Sequence, residues 1–329
     1  MTTDTHNIAL QRFRRLAWIT IAAVYFLILV GASVRASGAG MGCPDWPTCF
    51  GQWIPPTSEA QLPDNYQEIY AELGYADTRF NVVKTWTEYS NRLTGVTIGF
   101  LILLTAIYSW YCREHDSSIF KASVAAFIMV GFQGWLGAQD VGSHLQPGMI
   151  TVHMLVALAL VGALLFAVAQ ARRGIMAAQP VTALDPRFQT WLYIVIGLTI
   201  VQVAMGTQVR EMTDFISRAQ GEELRSSWIE AMPWFFYVHR SFSAVVLFSN
   251  LWLGWMLISS LGWQHTLSKL TVSMIAVIVV AVSSGATLGH LGMPAFVQPG
   301  HLLAASLLFG LQFLIWMSYR HSKGSPVNS

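Results

Sequence analysis

The sequence predicts an all-α membrane protein in which eight transmembrane helices form two pseudo-symmetric four-helix bundles. Three observations carry this. Of 329 residues, 54% are hydrophobic and 11% are charged, against roughly 25% charged in a typical soluble domain. Eight separate segments are apolar enough to cross a bilayer, which takes about 20 residues each. The polar residues near the ends of these segments recur at a fixed offset, so the second half repeats the first. This composition excludes an ordinary soluble enzyme and a disordered chain. A net charge of +2 offers nothing to hold a polyanion, so lipid rather than nucleic acid is the expected partner. Long continuous apolar runs also exclude a β-barrel, whose strands alternate over about ten residues.

A tail over residues 1–15 precedes the first span, 16–34. That span reads as a permanent helix rather than a cleaved leader. It runs on into Gly31-Ala32-Ser33-Val34-Arg35 without a small-residue cleavage site, and seven more spans follow. A long loop over 35–87 leads to spans 88–112, 119–138 and 149–171, completing a first unit over 16–172. A linker over 173–187 opens the second unit, 188–320, with spans 188–208, 235–259, 268–288 and 300–320 and a tail over 321–329. Eleven Lys and Arg near span ends lie on the side of the termini, Arg12, Arg14, Arg172 and Arg173 among them, and eight lie on the other. The second side also holds thirteen of the seventeen acids. By the positive-inside rule both termini are cytoplasmic, in a multi-pass protein of the cell's inner membrane.

Cys43 and Cys49, with five residues between them in the first long loop, then face an oxidising compartment. A cysteine pair there bridges or cycles as a dithiol. Free structural thiols, or a metal site that lacks a nearby histidine to complete it, are the alternatives. Cys112, at an inner span end, reads as a plain thiol.

The repeat is explicit. Asn91-Arg92 on the second span and His239-Arg240 on the sixth are 148 residues apart, as are His153 and His301 on the fourth and eighth. Gly31-Ala32-Ser33-Val34-Arg35 returns as Gly206-Thr207-Gln208-Val209-Arg210 after 175 residues, the longer first loop accounting for the difference. Gly134-Trp135-Leu136-Gly137-Ala138 echoes Gly285-Ala286-Thr287-Leu288-Gly289, and Gln146-Pro147-Gly148 echoes Gln298-Pro299-Gly300.

Polar groups inside a membrane are costly, so each needs a partner or a task. His6, His115, His265 and His321 fall in inner tails, loops and ends, whereas His144, His153, His239, His290 and His301 belong to the outer side. A single such histidine is more often a hydrogen-bonded packing residue. Two at matching depth on corresponding helices are different. His239 and His301 can face each other across one bundle, the geometry of bis-imidazole haem ligation. Arg240 and Arg92 stand at outer helix ends and match the fork geometry of haem propionates, although snorkelling arginines give the same pattern. Arg35 and Arg210 are weaker candidates for that role. The first half is asymmetric: Glu88 and Asn91 share a helical face, and His153 is the one imidazole at ligand depth. One ligand beside a carboxylate suits a bound substrate better than a permanent cofactor. A glutamate at a helix start is also favoured by the helix dipole alone.

With these residues in place, the chain resembles the haem A synthase family over almost its whole length. The resemblance rests on Gly38-Ala-Gly-Met-Gly-Cys43-Pro-Asp-Trp-Pro-Thr-Cys49, Glu88-x-x-x-Arg92, His153, Tyr237-Val-His239-Arg240 and Gln298-Pro-Gly-His301. It implies oxidation of a methyl group of haem O to the formyl group of haem A, for cytochrome oxidase. It further implies a resident haem b on His239 and His301, with Arg240 beside it, in the second bundle. The first bundle then takes the substrate haem O among His153, Asn91 and Arg92, with Glu88 as the catalytic carboxylate. The cysteine pair is tied to electron transfer or stability. Haem O synthase, the oxidase assembly machinery and an electron acceptor are the implied partners. No dinucleotide fingerprint identifies that acceptor.

One residue departs from the pattern. The family commonly has histidine three residues after the glutamate, where this chain has Asn91, a poor iron ligand. The substrate haem is then held through His153 alone, or without two axial ligands; His144 is a remote substitute. The competing reading is a non-catalytic membrane haem-binding protein, either a di-haem electron carrier or an oxidase assembly factor. A transporter fits less well, because the paired polar residues lie near one face rather than at the midplane.

Overall fold

A computed structural model describes residues 3–76, 78–142, 148–179, 181 and 183–323. In chain order the α-helices are α1 (Thr3–Ala36), α2 (Tyr66–Ile69), α3 (Val82–Ser109), α4 (Ser117–Gly142), α5 (Met149–Ala171), α6 (Arg173–Ala177), α7 (Phe188–Gln220), α8 (Trp234–Leu261), α9 (Thr266–His290) and α10 (Val297–Lys323). Eight of them are long and apolar enough to cross a bilayer, and the protein is a multi-pass membrane protein. Among the described residues there is no strand, only an isolated bridge between Cys49 and Gln52.

Several helices outrun the apolar segments that predict them. α7 continues to Gln220, past the expected end at 208, and α3 begins at Val82, before the expected start at 88. Hydropathy marks the part of a helix that lies in lipid, while the backbone keeps its hydrogen bonds until a cap or a breaker intervenes. Asn81 supplies such a cap, its side chain accepting from Lys84 N. Pro233 precedes α8, and Gly221 and Gly262 end α7 and α8 at positive φ.

α1, α3, α4 and α5 pack in a ring, each against the next, with α5 closing on α1; α7, α8, α9 and α10 pack in the same order. The arrangement is consistent with two copies of one bundle. α5 and α10 are the most buried spans. They meet at the centre, where α10 also packs on α1, and α5 on α7. We call the end with the long loops the disulfide end and the other the terminal end.

Toward the terminal end each ring has its own core. Phe13, Ile102, Val161 and Leu164 contribute to the first, and Phe188, Leu192, Leu253 and Leu257 to the second. The second ring carries a polar layer at positions that are apolar in the first, whose buried polar pair is Thr20 with Thr105 instead. Gln312 Nε2 donates to Thr199 Oγ1 at 2.8 Å and to Asn250 Oδ1 at 2.9 Å, all three residues being buried. Asn250 and Gln312 lie eleven residues beyond His239 and His301, about three helical turns deeper on the same face. The repeat places Val24, Ile102 and Leu164 at the matching positions of the first ring, all buried and apolar.

At the disulfide end, Cys43 and Cys49 form a disulfide, which settles the pairing that the sequence left open. The loop they belong to folds around Phe50, whose ring takes edge contacts from Tyr66, Tyr70, Tyr75 and Phe80. Burial pushes the Tyr75 phenol upward, so it remains a donor to the Met41 and Gly42 carbonyls at 2.9 and 3.1 Å. Gly42 lies so close to the Lys84 carbonyl that a Cβ there would collide with it. Thr85 Oγ1 donates to Gly42 O at 2.9 Å, fastening the loop to the start of α3.

Candidate haem-binding site

Four positions repeat around the molecule, each on the loop-side turns of one helix and each opposite a glycine of the helix before it. A Cβ on Gly206 would lie 3.1 Å from His239 Cε1, and one on Gly285 would lie 3.0 Å from His301 Cε1. In the first ring the same construction gives 3.9 Å from Gly137 to His153 Cε1 and 3.8 Å from Gly31 to Asn91 Oδ1. The glycines let each side chain lie flush against the neighbouring backbone. The second ring grips its imidazoles closely, and the first ring is looser by several tenths of an ångström. This register corrects one sequence match: the counterpart of Gly285 is Gly137, whereas Gly134 faces open space.

His301 is oriented from behind. Its Nδ1 lies 3.0 Å from Ala281 O and 3.1 Å from Ser284 Oγ. With Nδ1–H donating to that carbonyl, the lone pair stays on Nε2, the arrangement that prepares a histidine for iron. The Nδ1 of His239 is buried and makes no hydrogen bond among the described residues, so this ring too has a nitrogen to offer. Glutamine side chains fix the backbone at two of these positions. Gln202 Nε2 donates to His239 O at 3.1 Å, and Gln133 Nε2 to His153 O at 2.9 Å. Among the described residues no three His, Cys, Asp or Glu side chains converge on one point. A metal at paired histidines must therefore bring its remaining ligands with it, as porphyrin-bound iron does. Histidine tautomer, orphan nitrogen and glycine cradle all fit haem.

Arg240, next to His239, is exposed, its guanidinium sits over the Tyr237 ring at 5.8 Å, and that group makes no hydrogen bond or ion pair among the described residues. Arg92 differs. Its Nε donates to Glu88 Oε1 at 3.0 Å, Nη1 to Asp45 O at 2.6 Å and Thr48 O at 3.0 Å, and Nη2 to Cys43 O at 3.3 Å. The guanidinium is thus occupied by the disulfide loop and Glu88 rather than turned toward a propionate. Glu88 is buried, and Arg92 is its ion-pair partner. At the matching place in the second ring stands Phe236, buried against Gly289.

Arg35 and Arg210, repeat mates 175 residues apart, meet across the two rings on the Asp214 carboxylate. Arg35 Nη2 lies 2.7 Å from Oδ2, and Arg210 Nη2 lies 2.6 Å from Oδ1. Arg210 also donates to Gln298 and to the Arg35 carbonyl. The sequence offers a cue to this cluster, since Asp214 follows Arg210 at i, i+4; only the fold shows that Arg35 joins it. Two further seam contacts, Glu211 Oε1 accepting from Gly148 N at 2.7 Å and Thr151 Oγ1 to Thr207 Oγ1 at 2.6 Å, join α5 to α7. His290 ends α9, exposed. His144 lies outside the described residues.

The profile of a family described as cytochrome oxidase assembly protein, COX15-CtaA, matches residues 14–313. The chain is 31% identical to a protein named Heme A synthase from Shewanella oneidensis over 189 residues, 56% of this chain and 54% of that one. It is 31% identical to another of that name from Alkalihalophilus pseudofirmus over 144 residues, 44% of this chain and 41% of the other. In both, the chain spans about half the length of the relative or less. With the Heme A synthase of Geobacillus kaustophilus the identity is 23% over 330 residues, 96% of this chain and 95% of that one.

Proposed function

The chain belongs to the cytochrome oxidase assembly protein family COX15-CtaA, and from that membership we propose that it oxidises a methyl group of haem O to the formyl group of haem A. One observation carries the reading: a single frame holds two differently equipped sites. The second ring offers His239 and His301 against close glycines. The first offers His153, an amide at Asn91, and the buried carboxylate of Glu88.

In this reading His239 and His301 hold a resident haem b, with Arg240 free to meet a propionate. When bound, that haem supplies a one-electron relay. Haem O is the substrate of the first ring, held through His153, with Asn91 leaving the opposite side without a strong ligand. Each of the two oxidations of the methyl carbon removes two electrons and two protons and adds the oxygen of one water: the first gives the alcohol and the second the hydrate, which loses water to the aldehyde. Glu88 is placed to orient that water or to stabilise positive charge developing at the carbon. Arg92 fixes the carboxylate and ties it to the disulfide loop. The electrons pass to an acceptor outside the chain, haem O synthase supplies the substrate, and the oxidase assembly machinery receives the product. The protein spans the cell's inner membrane with both termini in the cytoplasm.

Extraction of the pigments bound to the purified protein tests the proposal. Haem B together with haem O or haem A is expected. Haem B alone identifies an electron carrier instead.

A further inference from the structure

At the disulfide end, a groove of about 700 Å³ runs between α1 and α3. Val30 and Ser37 line it from α1, and Thr87, Ser90, Asn91 and Thr94 line it from α3. Of the long helices, α3 packs chiefly on α1 and α4, and Ser37 and Ser90 are exposed, so the groove opens sideways at the loop-side end of these two spans. Its inner wall reaches Asn91, the residue opposite Gly31 in the fourth repeat position. The side chains of Thr87, Ser90 and Asn91 make no hydrogen bond among the described residues, leaving three polar groups for an occupant.

The other ring narrows the same seam. By the two offsets of the repeat, Val30 and Ser37 become Met205 and Met212, and Thr87 and Thr94 become Phe235 and Phe242. These four replacements are larger, whereas Leu29 and Val83 give way to the smaller Ala204 and Ala231. Met212 packs with Ile216, Trp228 and Phe236, and Phe242 packs on the core of the second ring. A depression of about 460 Å³ in the second ring is lined by α8 residues, of which Val238 and Phe242 are the repeat mates of Ser90 and Thr94.

We propose that the α1–α3 groove is the lateral access and binding groove for a lipid-dissolved porphyrin with a long isoprenoid chain. The inference deepens the reading above and rests on it, since haem O is such a molecule. A substrate of this kind partitions into the bilayer and reaches an enzyme from its side. Some 300–1,000 Å³ is usual for small-molecule sites, and a mixed wall of hydroxyls, one amide and aliphatic groups suits an amphipathic ligand. The narrowed seam retains a permanent cofactor, and the open one admits a molecule that must come and go.

The test is haem O titration of the purified full-length protein in lipid nanodiscs, with the low-spin spectrum of the second ring as an internal measure of folding. Thr87→Phe/Thr94→Phe installs the residues that the second ring already accommodates, and Val96→Phe, on an exposed face of α3 outside the groove, is the control for added bulk. We expect at least tenfold weaker haem O binding in the double Phe variant, normal binding in the Val96→Phe control, and an unchanged low-spin spectrum in both. Wild-type binding by a folded double Phe variant overturns the inference. Ser90→Cys, labelled with a bulky maleimide after purification, blocks the groove in protein that has already folded. Labelling should abolish uptake that the unlabelled variant shows, and undiminished uptake after labelling overturns the inference independently. If the wild type binds no haem O at all, the substrate assignment fails rather than the route.

Discussion

Glu88 and Phe236 occupy one position in two copies of the same frame, and the difference between them is chemical. A buried carboxylate is costly and persists where it is paired and used; Arg92 provides the pairing. Glu88→Gln keeps shape and hydrogen bonding while removing the charge. It should leave the low-spin spectrum of the second ring intact and lower haem A formation at least tenfold, about 1.4 kcal/mol in barrier, with haem O or its alcohol accumulating. Wild-type haem A levels would reduce Glu88 to an anchor for Arg92. The glycine cradle gives a second prediction. Gly285→Ala sets a methyl 3.0 Å from His301 Cε1, tight enough to displace the ring, and should weaken or abolish the low-spin signal. Gly134→Ala, in open space, should not, and equal spectra in the two variants would argue against His301 as a ligand. The sequence repeat singles out the positions of His239 and His301, which the fold seats against glycines, and of Glu88, where the second half has Phe236. The loop partners of Arg92 were not legible there, because they are main-chain carbonyls 44–49 residues earlier.

At the scale of elements, hydropathy located all eight membrane helices, since an apolar run of that length has few alternatives in lipid. It missed their ends, as α7 shows by continuing to Gln220, because caps and turns decide termination. It also could not show which polar side chains inside a span face one another. Thr199, Asn250 and Gln312 come from three helices, and packing alone brings them together. Gln312→Leu deprives Asn250 and Thr199 of their shared donor in a buried layer and should destabilise the second ring by about 1–2 kcal/mol. Restoring an apolar layer with Thr199→Val/Asn250→Leu/Gln312→Leu should recover part of that loss. Thermal melting followed through the low-spin haem is the measurement, and an unchanged midpoint in Gln312→Leu would show that the layer contributes nothing to stability.

For the whole molecule, the helix packing is consistent with duplication, and the proposed activity rests on how the two halves diverge. The two rings share helix order, glycine cradles and ligand depth. They differ in a narrowed or open seam, polar or apolar residues at matching inner positions, and phenylalanine or glutamate at one position. Arg35 and Arg210 are equivalent by sequence, yet they share one carboxylate, Asp214, so the seam between the rings is itself asymmetric. A repeat read from sequence shows what the halves have in common; how they touch emerges only in the fold. The central claim is that one half oxidises what the other half's relay helps to discharge. Its most direct test is to express the chain in a host that makes haem O but lacks a haem A synthase, and to extract the total membrane haems. Haem A in the extract is the predicted result. Haem B and haem O alone, from membranes in which the protein is folded and shows its low-spin spectrum, would contradict it.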